Sequence, residues 1–143
     1  QAEKMASLGR LCASIAREAA CLESFDVGLM PLEDTPWNRG KCSVKALQCM
    51  AMGRPVVVSP VGMNREVVEP GVNGAFATTG DEWATELLRL AAEAGLREKM
   101  GRAARATVER SYSLERIGST MADLVMGLVH SSGESPRARN LAD

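Results

Sequence analysis

Aromatic side chains are scarce in this 143-residue sequence, which holds two tryptophans, two phenylalanines and one tyrosine. Proteins that bind single-stranded nucleic acid stack the bases on aromatic rings and present basic surfaces to the phosphates. The chain carries 17 lysines and arginines against 18 aspartates and glutamates, so its formal net charge is -1. Both observations argue against a nucleic-acid partner.

Long apolar runs are also absent. None approaches the ~20 residues that a membrane-spanning helix needs, and no signal-peptide pattern opens the chain. The chain begins at Gln1 rather than methionine, which is consistent with a piece of a longer protein. A chain of 143 residues is long enough for one domain with its own core. We therefore expect a cytoplasmic location and a single domain.

Clustered metal ligands are missing as well. The four cysteines are Cys12, Cys21, Cys42 and Cys49, and none of them forms a CxxC pair. The single histidine, His130, is far from them in the sequence. Because a zinc site requires clustered ligands, we predict no metal site. The cysteines are interpreted as small apolar residues in a reducing cytoplasm.

The hydrophobic pattern alternates strands and helices. It predicts helices over 3–22, 43–52, 81–93, 96–109 and 113–129, and strands over 25–32, 55–60 and 75–78. A loop is expected over 33–40, and a turn leading into a short helix over 61–69. Gly53 is expected to end one helix, while Asp81 and Ser113 are expected to cap two others.

This order of elements is typical of an α/β domain with parallel strands. Three strands are few for such a sheet, so one edge should be exposed. The fold class we predict is a partial Rossmann-like domain over residues 1–130. Residues 131–143 lack apolar periodicity and are predicted to be a disordered tail.

A Gly-Lys pair, Gly40 and Lys41, precedes the second helix. A P-loop would need GxxxxGK followed by Ser or Thr, but Thr35 and Cys42 occupy the first and last of these positions, which excludes it. Ligands of doubly wound sheets nevertheless bind beyond the carboxyl ends of strands, and a helix N-terminus attracts anions. The position favours a bound diphosphate. A tight turn with a solvated lysine is the alternative that the spacing leaves open.

The stretch from Phe25 to Val129 resembles the carboxyl-terminal donor domain of GT-B glycosyltransferases of family 4, or group 1. The family pattern runs D-(I/V)-x-(L/V)-x-P, L-E-A-M-A-x-G-x-P-V-V-x-S, G-G-x-x-E-(I/V)-V and G-x-x-G. The matching segments here are DVGLMP, LQCMAMGRPVVVS, VGMNREVV and GVNG, in that order. The resemblance implies a hexosyltransferase-type enzyme that transfers a sugar from a nucleotide-diphosphate-sugar donor with retention at the anomeric carbon. It implies no cofactor and no obligatory metal.

The same resemblance implies which residues bind the donor: Gly40, Lys41, Cys42, Ser43, Val44, Lys45 and Gln48. Backbone amides from about Lys41 to Val44 would hold the diphosphate. In the family, one glutamate contacts the donor sugar and a second contacts the ribose hydroxyls; Gly40 and Gln48 occupy these positions here. Gly40 has no side chain, so the first contact is lost, whereas Gln48 can still bond to a ribose hydroxyl. Catalytic residues stay unassigned, because the family's acceptor site and an important histidine belong to a separate amino-terminal domain.

The expected partners follow from that missing domain. They are the nucleotide-sugar donor and the amino-terminal acceptor domain, through which alone a peripheral membrane contact is expected. The isolated chain should be inactive. The alternative is a non-catalytic Rossmann-like module whose exposed sheet edge pairs with a partner or with a second copy.

Other conspicuous residues have simpler interpretations. Glu66 is expected either near the donor cleft or as a cap of its own short helix. Trp37 is expected to cover the apolar side of its loop, and Trp83 to pack in the core. The remaining predictions place Met50, Met52 and Met63 in the core and Arg102, Arg105 and Arg110 on a solvated helix face.

Overall fold

A parallel three-stranded sheet forms the centre of the structure, a computed structural model that describes residues 17–18, 20–22 and 24–132, with side chains to residue 129. The strands are β1 (Gly28–Met30), β2 (Val56–Val58) and β3 (Gly74–Phe76), in the spatial order β1-β2-β3. The register pairs Leu29 with Val57 and Val57 with Ala75. The predicted partial Rossmann-like α/β fold is confirmed.

Six further elements of the described chain are helical. They are α1 (Pro36–Arg39), α2 (Val44–Ala51), α3 (Asn64–Val67), α4 (Gly80–Ala92), α5 (Ala94–Ser111) and α6 (Leu114–Ser132). The chain divides into two compact units, Gln1–Glu109 and Arg110–Asp143. The sheet and α1 to α4 belong to the first unit, and α6 belongs to the second.

The core is built around β2, whose three valines are buried because strands flank it on both sides and helices cover its faces. Helix α2 packs on β1 and β2, and α4 contacts β2. Val57 joins Leu90 of α4 and Met100 of α5 in one buried cluster, against which Trp83 packs. Burying each valine contributes about 1.5–3 kcal/mol relative to exposure. The predicted core position of Trp83 is confirmed.

Strand β1 is shorter and less buried than predicted. Only Gly28–Met30 of the predicted 25–32 is strand, and Leu29 is 50% exposed. The reason is its place at the edge: within the described residues, β2 is its only strand neighbour. On the covered face α2 approaches closely, since a Cβ added to Gly28 would lie 2.7 Å from Sγ of Cys49.

The predicted loop over 33–40 contains the short helix α1. Thr35 caps it, because its Oγ1 accepts a hydrogen bond of 3.2 Å from the amide of Asn38. Pro36 suits the first helical position, where its fixed φ is already helical. Trp37 is 82% exposed, so the prediction that it covers an apolar surface was wrong.

Of the remaining predictions about helix ends and core residues, some are confirmed and others are not. Gly53 follows α2 with a φ of 69°, and Ser113 Oγ accepts a bond of 3.3 Å from the amide of Arg116, so both predicted ends are confirmed. Met50 is fully buried, whereas Met52 and Met63 are only partly buried. Of the predicted helix over 3–22, residues 17–18 and 20–22 are helical; the rest lies outside the described residues, as does the tail from 133.

The cap of α4 is Thr79 and not the predicted Asp81. Thr79 Oγ1 accepts from the amide of Glu82 at 3.3 Å. Glu82 Oε2 in turn accepts from the amides of Thr79 and Thr78, at 3.0 and 2.7 Å. This reciprocal capping box satisfies amides that the helix itself cannot. The backbone hydrogen bonds from Thr79 and Thr78 lower the pKa of Glu82 below its ordinary value of 4.5.

The lowered pKa predicts how Glu82 affects stability. Because ionised Glu82 is favoured in the folded state, its contribution is present above pH 4.5 and is lost as the pH falls through the folded-state pKa. Glu82→Gln removes the ionisation and should therefore flatten the fall of the melting temperature below pH 4.5. Thermal unfolding followed by circular dichroism measures this, and equal acid slopes in the two proteins would contradict it.

Candidate functional site

A cleft of about 460 Å³ lies at the carboxyl end of β1. We call it the donor cleft. Its walls are the end of β1 and the residues after it, and the loop and first turn that begin α2. Five of the seven predicted site residues line it: Lys41, Cys42, Ser43, Val44 and Lys45. The fold thus brings most of the predicted set together at the sheet edge where doubly wound folds bind ligands.

The amino end of α2 leaves its first-turn amides without a side-chain cap. Ser43 is the N-cap residue, but its side chain makes no capping hydrogen bond. The amides of Val44 and Lys45 have no acceptor within the helix, as in every first turn. Aligned peptide dipoles add a partial positive charge at this end. The amide of Lys41 was also predicted to hold the diphosphate. In this structure it donates instead to the carbonyl oxygen of Asn38 at 3.2 Å.

Ser43 has an unusual backbone and a buried side chain. Its φ of 51° and ψ of 26° place it in the left-handed region, which non-glycine residues seldom occupy. Its Oγ donates a hydrogen bond of 2.6 Å to Oδ1 of Asn64. Asn64 is fully buried and donates from Nδ2 to the carbonyl oxygen of Ser59 at 2.9 Å. The Ser43 side chain, which does not cap α2, is therefore held by the first residue of α3.

Ser59 extends this network to the end of β1, because its Oγ accepts a bond of 3.0 Å from the amide of Leu32. Three segments at the carboxyl end of the sheet are thereby joined: the residues after β1, the residues after β2, and the start of α2. Buried hydrogen bonds of this kind fix one loop conformation, since breaking them leaves polar groups without water. The sequence patterns identified neither Asn64 nor Ser59. Ser59 directly follows the apolar strand β2, and Asn64 is the first residue of α3.

Gly62 brings the loop after β2 against α1. Its φ is 53°, and a Cβ added there would overlap the carbonyl oxygen of Arg39. Arg39 also donates from Nε to Oδ1 of Asp34 at 2.6 Å, which lowers the pKa of Asp34 below its usual range. This ion pair is solvent-exposed and contributes little stability. The close approach at Gly62 thus constrains the position of α1 more strongly than the ion pair does.

Two predicted site residues lie outside the donor cleft. Gly40 is exposed and ends α1 next to Lys41. Gln48 donates from Nε2 to Oε1 of Glu18 at 3.0 Å, and it lines a neighbouring groove of about 470 Å³ along β1. Glu66 is exposed, and α3 begins without a side-chain cap, so the capping interpretation was wrong.

The described residues hold neither a cluster of metal ligands nor a helix suited to a membrane. No group of three or more histidine, cysteine, aspartate or glutamate side chains is arranged to hold a metal ion. In the same part of the chain, no helix combines the length and apolar character needed to cross a membrane.

Comparison with known proteins identifies relatives of this fold. A family model described as "Glycosyl transferases group 1" matches residues 3–93. Sucrose-phosphate synthase from Thermosynechococcus elongatus is 26% identical with a TM-score of 0.58, covering 60% of this chain and 22% of that one. Anabaena HepE in complex with UDP and glucose is 24% identical with a TM-score of 0.63, covering 75% and 29%.

A third solved structure is the C-terminal domain of a group 1 glycosyl transferase, LpcC, from Francisella tularensis. It is 19% identical with a TM-score of 0.56, covering 65% of this chain and 46% of that one. The chain therefore spans less than half of each of these solved structures. Among curated protein sequences no significant match was found.

Proposed function

Because this chain belongs to group 1 of the glycosyl transferases, we propose that it binds the diphosphate of a nucleotide-diphosphate-sugar at the amino end of α2. The observation that carries the proposal is the uncapped first turn of α2, which opens on the donor cleft beside Lys41 and Lys45. Amides, helix dipole and ammonium groups all favour an anion at one point. The UDP present with Anabaena HepE supports this class of ligand.

The proposed chemistry is transfer of a sugar with retention at the anomeric carbon, as the family resemblance implies. When the bond from the sugar to the diphosphate breaks, negative charge develops on the leaving phosphate oxygen. The amides of Val44 and Lys45, whose positions the helix fixes before the reaction, and the ammonium group of Lys41 would stabilise that charge. We propose that this charge stabilisation makes a metal ion dispensable.

This chain covers only part of the length of its relatives, which limits the activity that we propose for it. The chain spans 22% of sucrose-phosphate synthase and 46% of the LpcC domain. We propose that the acceptor site and the rest of the donor site come from outside this chain, and that the isolated chain does not catalyse transfer. We also propose a cytoplasmic location, which suits the free thiols of Cys21, Cys42 and Cys49.

Lys41→Ala in the complete transferase tests the phosphate role. Loss of one charged hydrogen bond to the leaving diphosphate should lower kcat/KM for the donor by roughly 10- to 100-fold. Steady-state kinetics with the nucleotide sugar measures this. Lys99→Ala is the matched control, because Lys99 is an exposed lysine of α5 that does not line the donor cleft. Unchanged kcat and KM in Lys41→Ala would refute the role.

One observation favours a second candidate, a module that binds through its sheet edge. Within the described residues no strand pairs with the outer edge of β1, and Phe25 and Leu29 are about half-exposed beside it. Unpaired edges of this kind recruit further strands. A second copy could pair there, and a dimer in solution by light scattering would support it. A monomer at high concentration would count against pairing with a second copy and leave the transferase proposal untouched.

A further inference from the structure

A second cleft, of about 320 Å³, lies at the opposite end of the sheet from the donor cleft. The segments that line it precede β1, precede β2 and form the part of α5 from Ala94 to Arg105. We call it the arginine cleft. Its charged lining residues are Arg54, Arg97, Arg102, Arg105, Asp26 and Glu98. It shares no lining residue with the donor cleft, so the two are separate sites.

Two of these arginines are anchored by backbone carbonyls. Arg97 donates from Nη1 to the carbonyl oxygens of Leu90 and Ala91, at 2.6 and 3.0 Å. Arg105 donates from Nη1 to the carbonyl oxygen of Ala51 at 3.2 Å. A guanidinium group has five N–H donors in a fixed plane, so each anchored arginine retains donors for a ligand. Anchoring also reduces the entropy lost when a ligand binds.

The carboxylates around the cleft neutralise only part of its charge. Arg105 pairs with Glu109 at 2.8 Å, and Arg102 lies 3.8 Å from Glu98 in a solvent-exposed contact. Arg97 makes no ion pair with any described carboxylate, and its contacts are carbonyl oxygens. Arg97, Arg102 and Arg105 line the cleft together with the carboxylates of Asp26 and Glu98. An anion that bridges the guanidinium groups would relieve the repulsion between these like charges.

We propose that the arginine cleft binds a small phosphate monoester that also carries hydroxyl groups, such as a sugar phosphate. Arginine binds phosphate through paired N–H donors, and Arg97, Arg102 and Arg105 offer such donors in one cleft. Asp26 and Glu98 can accept hydrogen bonds only, which suits hydroxyl donors on the same ligand. A volume near the lower end of the roughly 300–1,000 Å³ range of ligand pockets fits one sugar ring with its phosphate.

Nuclear magnetic resonance titration of the 143-residue chain tests the site, with glucose 6-phosphate as the probe. We expect saturable shifts of the amides of residues 53–55 and 97–105, and of the arginine Nε–H signals. Inorganic phosphate should bind more weakly at the same residues, and glucose should produce no shift. Shifts confined to Lys41 and Lys45 would place the phosphate in the donor cleft and overturn the proposal.

Two variants and one control make the result specific. Arg102→Gln and Arg105→Gln should each weaken glucose 6-phosphate binding by about tenfold, since each removes charged donors. Arg89→Gln is the matched control, because Arg89 also pairs within its helix, with Glu86 at 3.4 Å, but lies outside the cleft. Far-ultraviolet circular dichroism establishes that each variant is folded.

Three results would overturn the proposal. The first is the absence of a saturable shift at millimolar glucose 6-phosphate. The second is equal weakening by Arg102→Gln and Arg89→Gln, which would indicate a general charge effect. The third is equal affinity for inorganic phosphate and glucose 6-phosphate, which would remove the role of the hydroxyl groups and of Asp26 and Glu98. A site that fails these tests leaves the donor site unaffected.

Discussion

Replacing Gly101 with alanine should lower the free energy of unfolding by about 2–3 kcal/mol, although alanine is the better helix former. A Cβ at this position of α5 would overlap the carbonyl oxygen of Gly53 and lie 3.6 Å from Cδ of Pro55. The atom that it meets belongs to the backbone of the turn before β2, so no side-chain rotation can relieve the overlap. The helix would have to move away from the turn and expose part of the core around Met100.

Gly95→Ala is the matched control for this prediction. Gly95 lies in the same helix, but an added Cβ there meets nothing within 4 Å. The substitution should therefore stabilise the protein, by roughly 0.5–1 kcal/mol, through helix propensity alone. Urea denaturation of both variants measures the opposite signs. A Gly101→Ala protein as stable as the parent chain would show that α5 does not pack against the turn as described.

Replacing Asn64 with leucine should lower both stability and the affinity for nucleotide diphosphates. Leucine has as many side-chain heavy atoms, but it leaves the buried Oγ of Ser43 without its acceptor. The carbonyl oxygen of Ser59 loses the bond from Asn64 and keeps only the one from the amide of Val61 at 2.8 Å. One unsatisfied buried group costs about 1–3 kcal/mol, so a loss of that size in unfolding free energy is expected. Ser43 would also lose the bond that holds its left-handed backbone, and the first turn of α2 would lose its fixed position.

Asn73→Leu separates the two effects of the Asn64 substitution. Asn73 is equally buried, and its side chain bonds to the amide of Glu69 at 2.8 Å and to the carbonyl oxygen of Val67 at 3.2 Å. It does not line the donor cleft. Both variants should be destabilised, but only Asn64→Leu should weaken UDP binding, by about tenfold or more. Calorimetric titration under conditions where both proteins are folded measures this. Equal weakening would refute a positioning role for Asn64.

Local signals in the sequence predicted most of the central fold. The β-branched run at Val56–Val58 predicted a strand buried on both faces, and Gly53 predicted where the preceding helix ends. Both depend on residues close in sequence. The cap of α4 depends on the same kind of signal and was still assigned wrongly, because Thr79 and Asp81 are both good caps. Only the reciprocal bond from Glu82, three residues after Thr79, distinguishes them.

Features that depend on long-range contacts could not be predicted. The exposure of Leu29 follows from the place of β1 at the sheet edge, and Trp37 is exposed because its loop turns into α1. The bond between Ser43 and Asn64 joins positions 21 residues apart. The arginine cleft is similar, since Arg54 and Arg102 come together only when α5 packs against the turn before β2. Periodicity correctly placed Arg102 and Arg105 on an exposed helix face, but it could not show that this face borders a cleft.

The central claim is that the amino end of α2 binds a diphosphate, and titration of the 143-residue chain with UDP and GDP tests it most directly. Backbone resonances would be followed by nuclear magnetic resonance, with uridine as the control that lacks phosphate. The account predicts saturable shifts, largest at the amides of Val44 and Lys45, for both diphosphates and none for uridine. Saturable binding that leaves these two amides unchanged would contradict it, and so would equal shifts with uridine.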